Sequence, residues 1–179
     1  MVLKNTVAIA MAMLASTLIQ AQQQPSAAAA DSSAAAPAVP AAGSTMTPVQ
    51  QADAAPQGTL KNPYQDTDAA AVPAGGKLWL SYGCNGCHGG TGGGGMCPPV
   101  TNDIWVYGGD DDTLFRLVAY GSQTLQSKGY SRKAQENVVG PMPAMGQVVK
   151  TTDDLWRILA WVRSNYHGVP ECKFGCKGS

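Results

Sequence analysis

The chain lacks most of the compositional biases that would point to a partner. Its Lys+Arg 12 and Asp+Glu 12 cancel, and only 13% of its 179 residues are charged. A surface built for nucleic acid or for a strongly acidic target would leave an excess of one sign, so neither class is indicated. Large apolar residues are also sparse, with Phe 2 and aromatics at 7%. No repeat and no block of like charge occurs. The one sustained apolar or small run, residues 7–19, is shorter than the ~20 residues of a comfortable bilayer span. Imidazole is nearly absent, with His88 and His167 alone in the chain.

What is present falls into three parts. Lys4 precedes the run 7–19, and Ile19-Gln20-Ala21 supplies a small-residue cleavage site. This is the n-region and h-region pattern of an export signal over residues 1–21, with an uncleaved membrane anchor as the alternative. No cysteine lies near the cut, which argues against a lipoprotein. Residues 22–57 are Ala, Pro, Gln and Ser with Asp31 and Asp53 the only charges up to Pro56. Too little bulky apolar surface is available there to offset the entropy of ordering, so a disordered stalk is expected. It is either a tether for the folded part or a leader without a specific task. Residues 58–179 are then one domain.

Within that domain, Cys84-Asn85-Gly86-Cys87-His88 is the C-x-x-C-H signature of c-type haem attachment. Thiols at this spacing reach the two vinyl groups of one porphyrin, and the adjoining histidine falls under the iron. Cys84 and Cys87 are the candidate thioether links and His88 the proximal ligand. A zinc half-site would need a second ligand pair, and a thioredoxin motif should close a βαβ unit. Neither context is present. No second C-x-x-C-H occurs, so a single haem c is expected. It would supply apolar core that so Gly-rich a sequence lacks, and export to an oxidising compartment, the periplasm, suits covalent attachment.

Residues 74–82 read as a short helix opened near Pro73 and ended at Gly83. After His88, six of the seven residues 89–95 are glycine. No Gly-Lys-Ser/Thr follows, so this is no phosphate loop. It either hugs a flat cofactor or is a flexible surface loop. Pro98 then offers a carbonyl to the free ring N–H that a proximal histidine must direct at an acceptor. An ordinary rigid turn is the competing reading. Asp112 is the expected N-cap of a helix over 113–120, with Gly121 its stop. Calcium binding by Asp110 and Asp111 would want more alternating oxygen ligands. In Gly140-Pro141-Met142-Pro143-Ala144-Met145-Gly146, a thioether flanked by prolines can be held against iron. Met142 is the first candidate for the sixth ligand and Met145 the second, with His167 a further one and core filling the bland reading. Thr151 and Asp154 open the strongest helical pattern, with Leu155, Ile158, Leu159 and Val162 on one face. This helix is expected to cross the one before the haem motif. Cys97, Cys172 and Cys176 remain, and Cys172 with Cys176 are closest in sequence.

The succession of a helix, Cys84-x-x-Cys87-His88, Cys97-Pro98-Pro99-Val100, Gly140-Pro141-Met142-Pro143 and a final helix through Trp161 resembles a class I c-type cytochrome. More narrowly, Asn62-Pro63-Tyr64, the loop ending Met96-Cys97-Pro98-Pro99 and the run from Trp105 to Arg116 are similar to cytochrome c-L-like electron acceptors of pyrroloquinoline quinone (PQQ) dependent alcohol and methanol dehydrogenases. The resemblance implies an all-α small cytochrome c fold, helices packed around one covalently bound haem with long loops. It implies that the Pro98 carbonyl accepts from the histidine ring, that Met142 binds iron, and that the helices containing Tyr82 and Trp161 cross. The implied activity is single-electron transfer without substrate turnover. The donor would be a PQQ-dependent alcohol dehydrogenase and the acceptor a terminal oxidase or another cytochrome. The alternatives are a cytochrome subunit of a larger membrane oxidoreductase and a haem sensor or enzyme with an open sixth site.

Overall fold

The computed structural model describes residues 44–136 and 139–176. The expected export signal and the stalk up to residue 43 lie outside the described residues. Every regular element in them is helical: α1 (Pro48–Ala54), α2 (Ala71–Ser81), α3 (Asn85–His88), α4 (Asp111–Ser127), α5 (Thr152–Ser164) and a 3-10 turn (Pro170–Cys172). Among the described residues there is no strand, in agreement with the all-α expectation.

The folded chain begins earlier than residue 58. Thr47 and Gln50 make a reciprocal capping box for α1, and Pro48 takes the first helical position, where no N–H is needed. This helix is too short and too poor in large apolar residues to be read from periodicity. Its anchor is remote. Arg116 of α4 donates to the carbonyls of Ala52 at 2.6 Å, Ala55 at 2.9 Å and Pro56 at 3.0 Å. These bonds satisfy one orphan carbonyl of the last helical turn, at Ala52, and fix the two residues that follow the helix.

Helix α2 starts one turn before the expected Ala74. Asp68 opens it, its carboxylate accepting from the backbone N–H groups of Ala70 and Ala71, and Pro73 falls within the first turn, where it is tolerated. α2 and α5 cross as expected. At Gly75 a Cβ would overlap the Arg157 carbonyl and lie 2.9 Å from Trp161 Cβ, so the two backbones meet where only glycine fits. Leu155, Ile158, Leu159 and Val162 are buried along the inner face of α5. Each such side chain contributes about 1.5–3 kcal/mol. Phe115 and Trp156, centroids 4.3 Å apart, join α4 to this core.

Two features of α4 differ from the sequence reading. Its N-cap is Asp110, which accepts from Thr113 N–H at 2.9 Å. Asp112 turns inward instead, accepting from Leu60 N–H at 3.1 Å, Arg116 Nε at 2.8 Å and the Tyr130 hydroxyl at 2.8 Å. Gly121, at φ 73°, ends the first helical stretch as expected, but across the kink a second stretch follows at once and runs to Ser127. At the chain's end Cys172 and Cys176 are joined in a disulfide. Trp105 Nε1 donates to the Cys172 carbonyl at 2.7 Å, and the buried Arg163 bonds Asp111, the Gly109 carbonyl and the Lys173 carbonyl.

Candidate functional site

Leaving α2, the chain turns through Gly83, at φ 77°, into the four-residue helix α3, whose preceding residue Cys84 is itself helical. The single turn puts Cys84, Cys87 and His88 on adjacent positions of one small spiral, with His88 N–H donating to the Cys84 carbonyl at 3.1 Å. Cys84 packs against the hydrophobic core, and burial pushes its thiol pKa up. Cys84, Cys87 and Cys97 are the free cysteines among the described residues.

The glycine-rich stretch is neither open nor formless. Gly94 N–H donates to the His88 carbonyl at 2.9 Å and Cys97 N–H to the Cys87 carbonyl at 3.0 Å, so it doubles back along the motif. Gly89, at φ 79°, allows this turn, and a Cβ there would meet the Gly94 carbonyl. The return leg carries Pro98 over the histidine. His88 Nδ1 lies 2.7 Å from the Pro98 carbonyl oxygen, which can only accept, so Nδ1 carries the proton and Nε2 is the nitrogen left for a metal. Trp79 backs the ring at a centroid separation of 5.9 Å while its Nε1 donates to the Gly89 carbonyl at 3.1 Å. Trp161 lies against Trp79 in turn, with centroids 4.9 Å apart.

The Met142 loop docks on the interruption in α4. At Gly121 a Cβ would stand 2.6 Å from Ala144 N and 2.7 Å from the Met142 carbonyl oxygen. Ser122 N–H, freed from the helix by the break, donates to that carbonyl at 3.0 Å, and Met142 N–H donates to Ser122 Oγ at 3.0 Å. Met142 is half-buried. Met145 instead packs against the core cluster, its N–H donating to the Val118 carbonyl at 2.9 Å. His167 is exposed, tied through its N–H to the Thr101 carbonyl at 2.6 Å, and lines a shallow cleft of about 470 Å³ with Asp103 and Pro170. Among the described residues no three His, Cys, Asp or Glu side chains converge as a metal site, which leaves the zinc reading without its second ligand pair.

Residues 70–162 match the family described as cytochrome c oxidase, cbb3-type, subunit III, just over half of the chain. The chain belongs to that family of cytochrome c domains. It is a class I c-type cytochrome, and the family implies haem c as its cofactor. A search of curated proteins found no match. Among solved structures it is similar to cytochrome CL from the marine methylotrophic bacterium Methylophaga aminisulfidivorans MPT, at 26% identity over 60% of this chain and 61% of that one, TM-score 0.46. Cytochrome cL from Hyphomicrobium denitrificans matches at 24% identity over 55% of this chain and 49% of that one, TM-score 0.42. The chain thus spans less than two thirds of either structure.

The residues of this cytochrome suit haem c. Two free thiols at attachment spacing, a histidine whose Nδ1 proton is already committed, and a turn that keeps backbone close to the motif are what a covalently held porphyrin requires. Sequence reasoning missed the Asp112–Arg116–Tyr130 cluster and the Arg163 cluster. The i, i+4 pairs Asp112/Arg116 and Asp153/Arg157 were visible as helix-face charge pairs, a signal that could have found the first.

Proposed function

We propose that this chain is an exported monohaem carrier in which Cys84 and Cys87 are thioether-linked, His88 is the proximal ligand and Met142 the sixth. The observation that carries this reading is the His88 Nδ1–Pro98 carbonyl bond of 2.7 Å, which fixes both tautomer and ring orientation. Bound there, haem supplies a one-electron ferric/ferrous couple. Pro98 raises the basicity of Nε2 through the proton it holds on Nδ1. Trp79 and Trp161 keep water from the proximal side. Ser122 and Gly121 set the approach of the Met142 segment, and a filled sixth site leaves no position for substrate. The protein then turns over no substrate of its own.

Residues 1–21 would direct export to the periplasm, and the linker after them would end at the capped start of α1. Among the described residues no helix is long and apolar enough to cross a membrane. The donor is a PQQ-dependent alcohol or methanol dehydrogenase and the acceptor a terminal oxidase or another cytochrome. A second reading, a cytochrome subunit of a membrane oxidoreductase with residues 1–21 retained as its anchor, is favoured by the description of the matching family.

Optical spectra of the loaded protein, with and without carbon monoxide, test the carrier. Low-spin spectra with a methionine-to-iron charge-transfer band and no carbon monoxide adduct are expected. High-spin iron that takes carbon monoxide at once would overturn the His/Met assignment and favour a sensor or enzyme. Reduction by a PQQ-dependent dehydrogenase tests the donor, and the N-terminus of the mature protein separates the soluble carrier from the anchored subunit.

A further inference from the structure

Once Cys172 and Cys176 are paired, Cys97 is the thiol the site does not use, and it does not stand alone. The glycine-rich turn returns the chain so that Cys97 N–H donates to the Cys87 carbonyl at 3.0 Å. The two side chains are within hydrogen-bonding reach of one another. That single backbone bond keeps Cys97 beside Cys87 across the turn, the closeness a disulfide requires. Cys84, by contrast, is packed against the hydrophobic core. The contact is local in sequence and depends on the turn through Gly89 and Gly94, not on the distant helices.

We propose that Cys97 is the disulfide partner of Cys87 in the chain before its cofactor is attached, and that this bond withholds Cys87 from attachment until it is reduced. The second half rests on reading Cys87 as a haem-attachment thiol; the first does not. The oxidant is a small external disulfide. Cys97 thiolate attacks one of its sulfurs, forming a mixed disulfide and releasing one thiol, and Cys87 thiolate then attacks the Cys97 sulfur and releases the second. Two protein thiols are oxidised by two electrons, the external disulfide is reduced by two, and two protons end on the released thiols. Attachment needs the reverse exchange with an external thiol.

The test uses the full chain, isolated without haem, equilibrated with oxidised glutathione, alkylated and cleaved with cyanogen bromide. Cleavage after Met46, Met96 and Met142 puts Cys84 and Cys87 in fragment 47–96 and Cys97 in fragment 97–142. From monomeric protein these fragments are expected to stay joined until reduced. The link should persist in Cys84→Ser and vanish in Cys87→Ser. Separate fragments before reduction, or fragment 97–142 joined to the C-terminal piece, would overturn the proposal. For the second half, chains offered haem under the same oxidising conditions should load at least twofold more in Cys97→Ser than in wild type, with added thiol removing the difference. Equal loading overturns the gating and leaves the cross-link standing. Failure of every chain to load, with thiol present, overturns the attachment reading and the gating with it, whereas the fragment map is unaffected.

Discussion

Ser122 and Met142 hold one another through two backbone-directed bonds, Ser122 N–H to the Met142 carbonyl and Met142 N–H to Ser122 Oγ, each 3.0 Å. The first exists because Gly121, at φ 73°, breaks α4 and frees the Ser122 N–H. A backbone held at both N–H and carbonyl leaves the Met142 thioether free to serve as a ligand, whereas Met145 is engaged in the core. Met142→Ala should therefore abolish the charge-transfer band and admit carbon monoxide. Met145→Ala should keep the band and lower stability by about 1–3 kcal/mol. The reverse pattern in the two spectra would show that Met145 is the ligand. Ser122→Ala, which removes one hydrogen bond, should cost about 1 kcal/mol and leave the low-spin spectrum in place.

Gly75 makes a sharper test of the fold. A Cβ there overlaps the Arg157 carbonyl, and backbone cannot move aside as a side chain can. Gly75→Ala should force α2 from α5 and cost about 3 kcal/mol, the upper end of what overpacking a core costs. Gly86, where an added Cβ meets nothing within 4 Å, is the control. Gly86→Ala should change thermal stability little. Equal melting temperatures for the two variants would refute the close crossing.

The crossing of α2 and α5 was legible because α5 carries a periodic apolar face that must be buried, Thr151 announces its start with a side-chain cap, and Pro73 and Gly83 bracket α2. Spacing left Pro98 balanced between an acceptor for His88 and an ordinary rigid turn, and the family resemblance tipped it to the acceptor. Other features were hidden for physical reasons. α1 is held by a guanidinium from residue 116, a contact that no local pattern encodes. Asp110, Asp111 and Asp112 are identical in type, and only tertiary partners decide that Asp110 caps, Asp111 meets Arg163 and Asp112 is buried. Gly121 stops the first stretch of α4 as its residue type announces, but no local pattern foretells the second helical stretch that follows it directly beside the Met142 loop.

Two tyrosines should titrate late. Burial, with hydrogen bonds to Asp153 and Asp53 respectively, raises Tyr64 and Tyr120 to about 12 from 10.0. Their folded pKa lies above the unfolded value, so the stability they contribute is complete below pH ~10 and is lost as pH rises toward about 12. Ultraviolet titration of phenolate absorbance should show Tyr64→Phe and Tyr120→Phe each removing a late-titrating group. Loss of a group titrating near 10 would contradict these carboxylate pairings.

Asp112 governs the acid side. Burial acts to raise its pKa, but Arg116, Tyr130 and the Leu60 N–H donate to it and together hold the carboxyl below the usual range. A depressed folded pKa contributes stability that is present above the unfolded value of about 4 and lost as pH falls through the folded one. Asp112→Asn removes that titration and leaves Arg116 with a buried, uncompensated charge, a defect worth about 3–5 kcal/mol. Denaturant unfolding at pH 7 should show the variant less stable by this order. Between pH 7 and pH 3 wild type should lose more stability than Asp112→Asn, because only wild type has this carboxylate to protonate. The Arg116 guanidinium also holds the end of α1 through three carbonyls, so proteolysis at residues 44–57 should accelerate in the variant at pH 7 and in wild type only at the acid end. Parallel loss of stability in the two proteins across that pH range would place the acid sensitivity elsewhere.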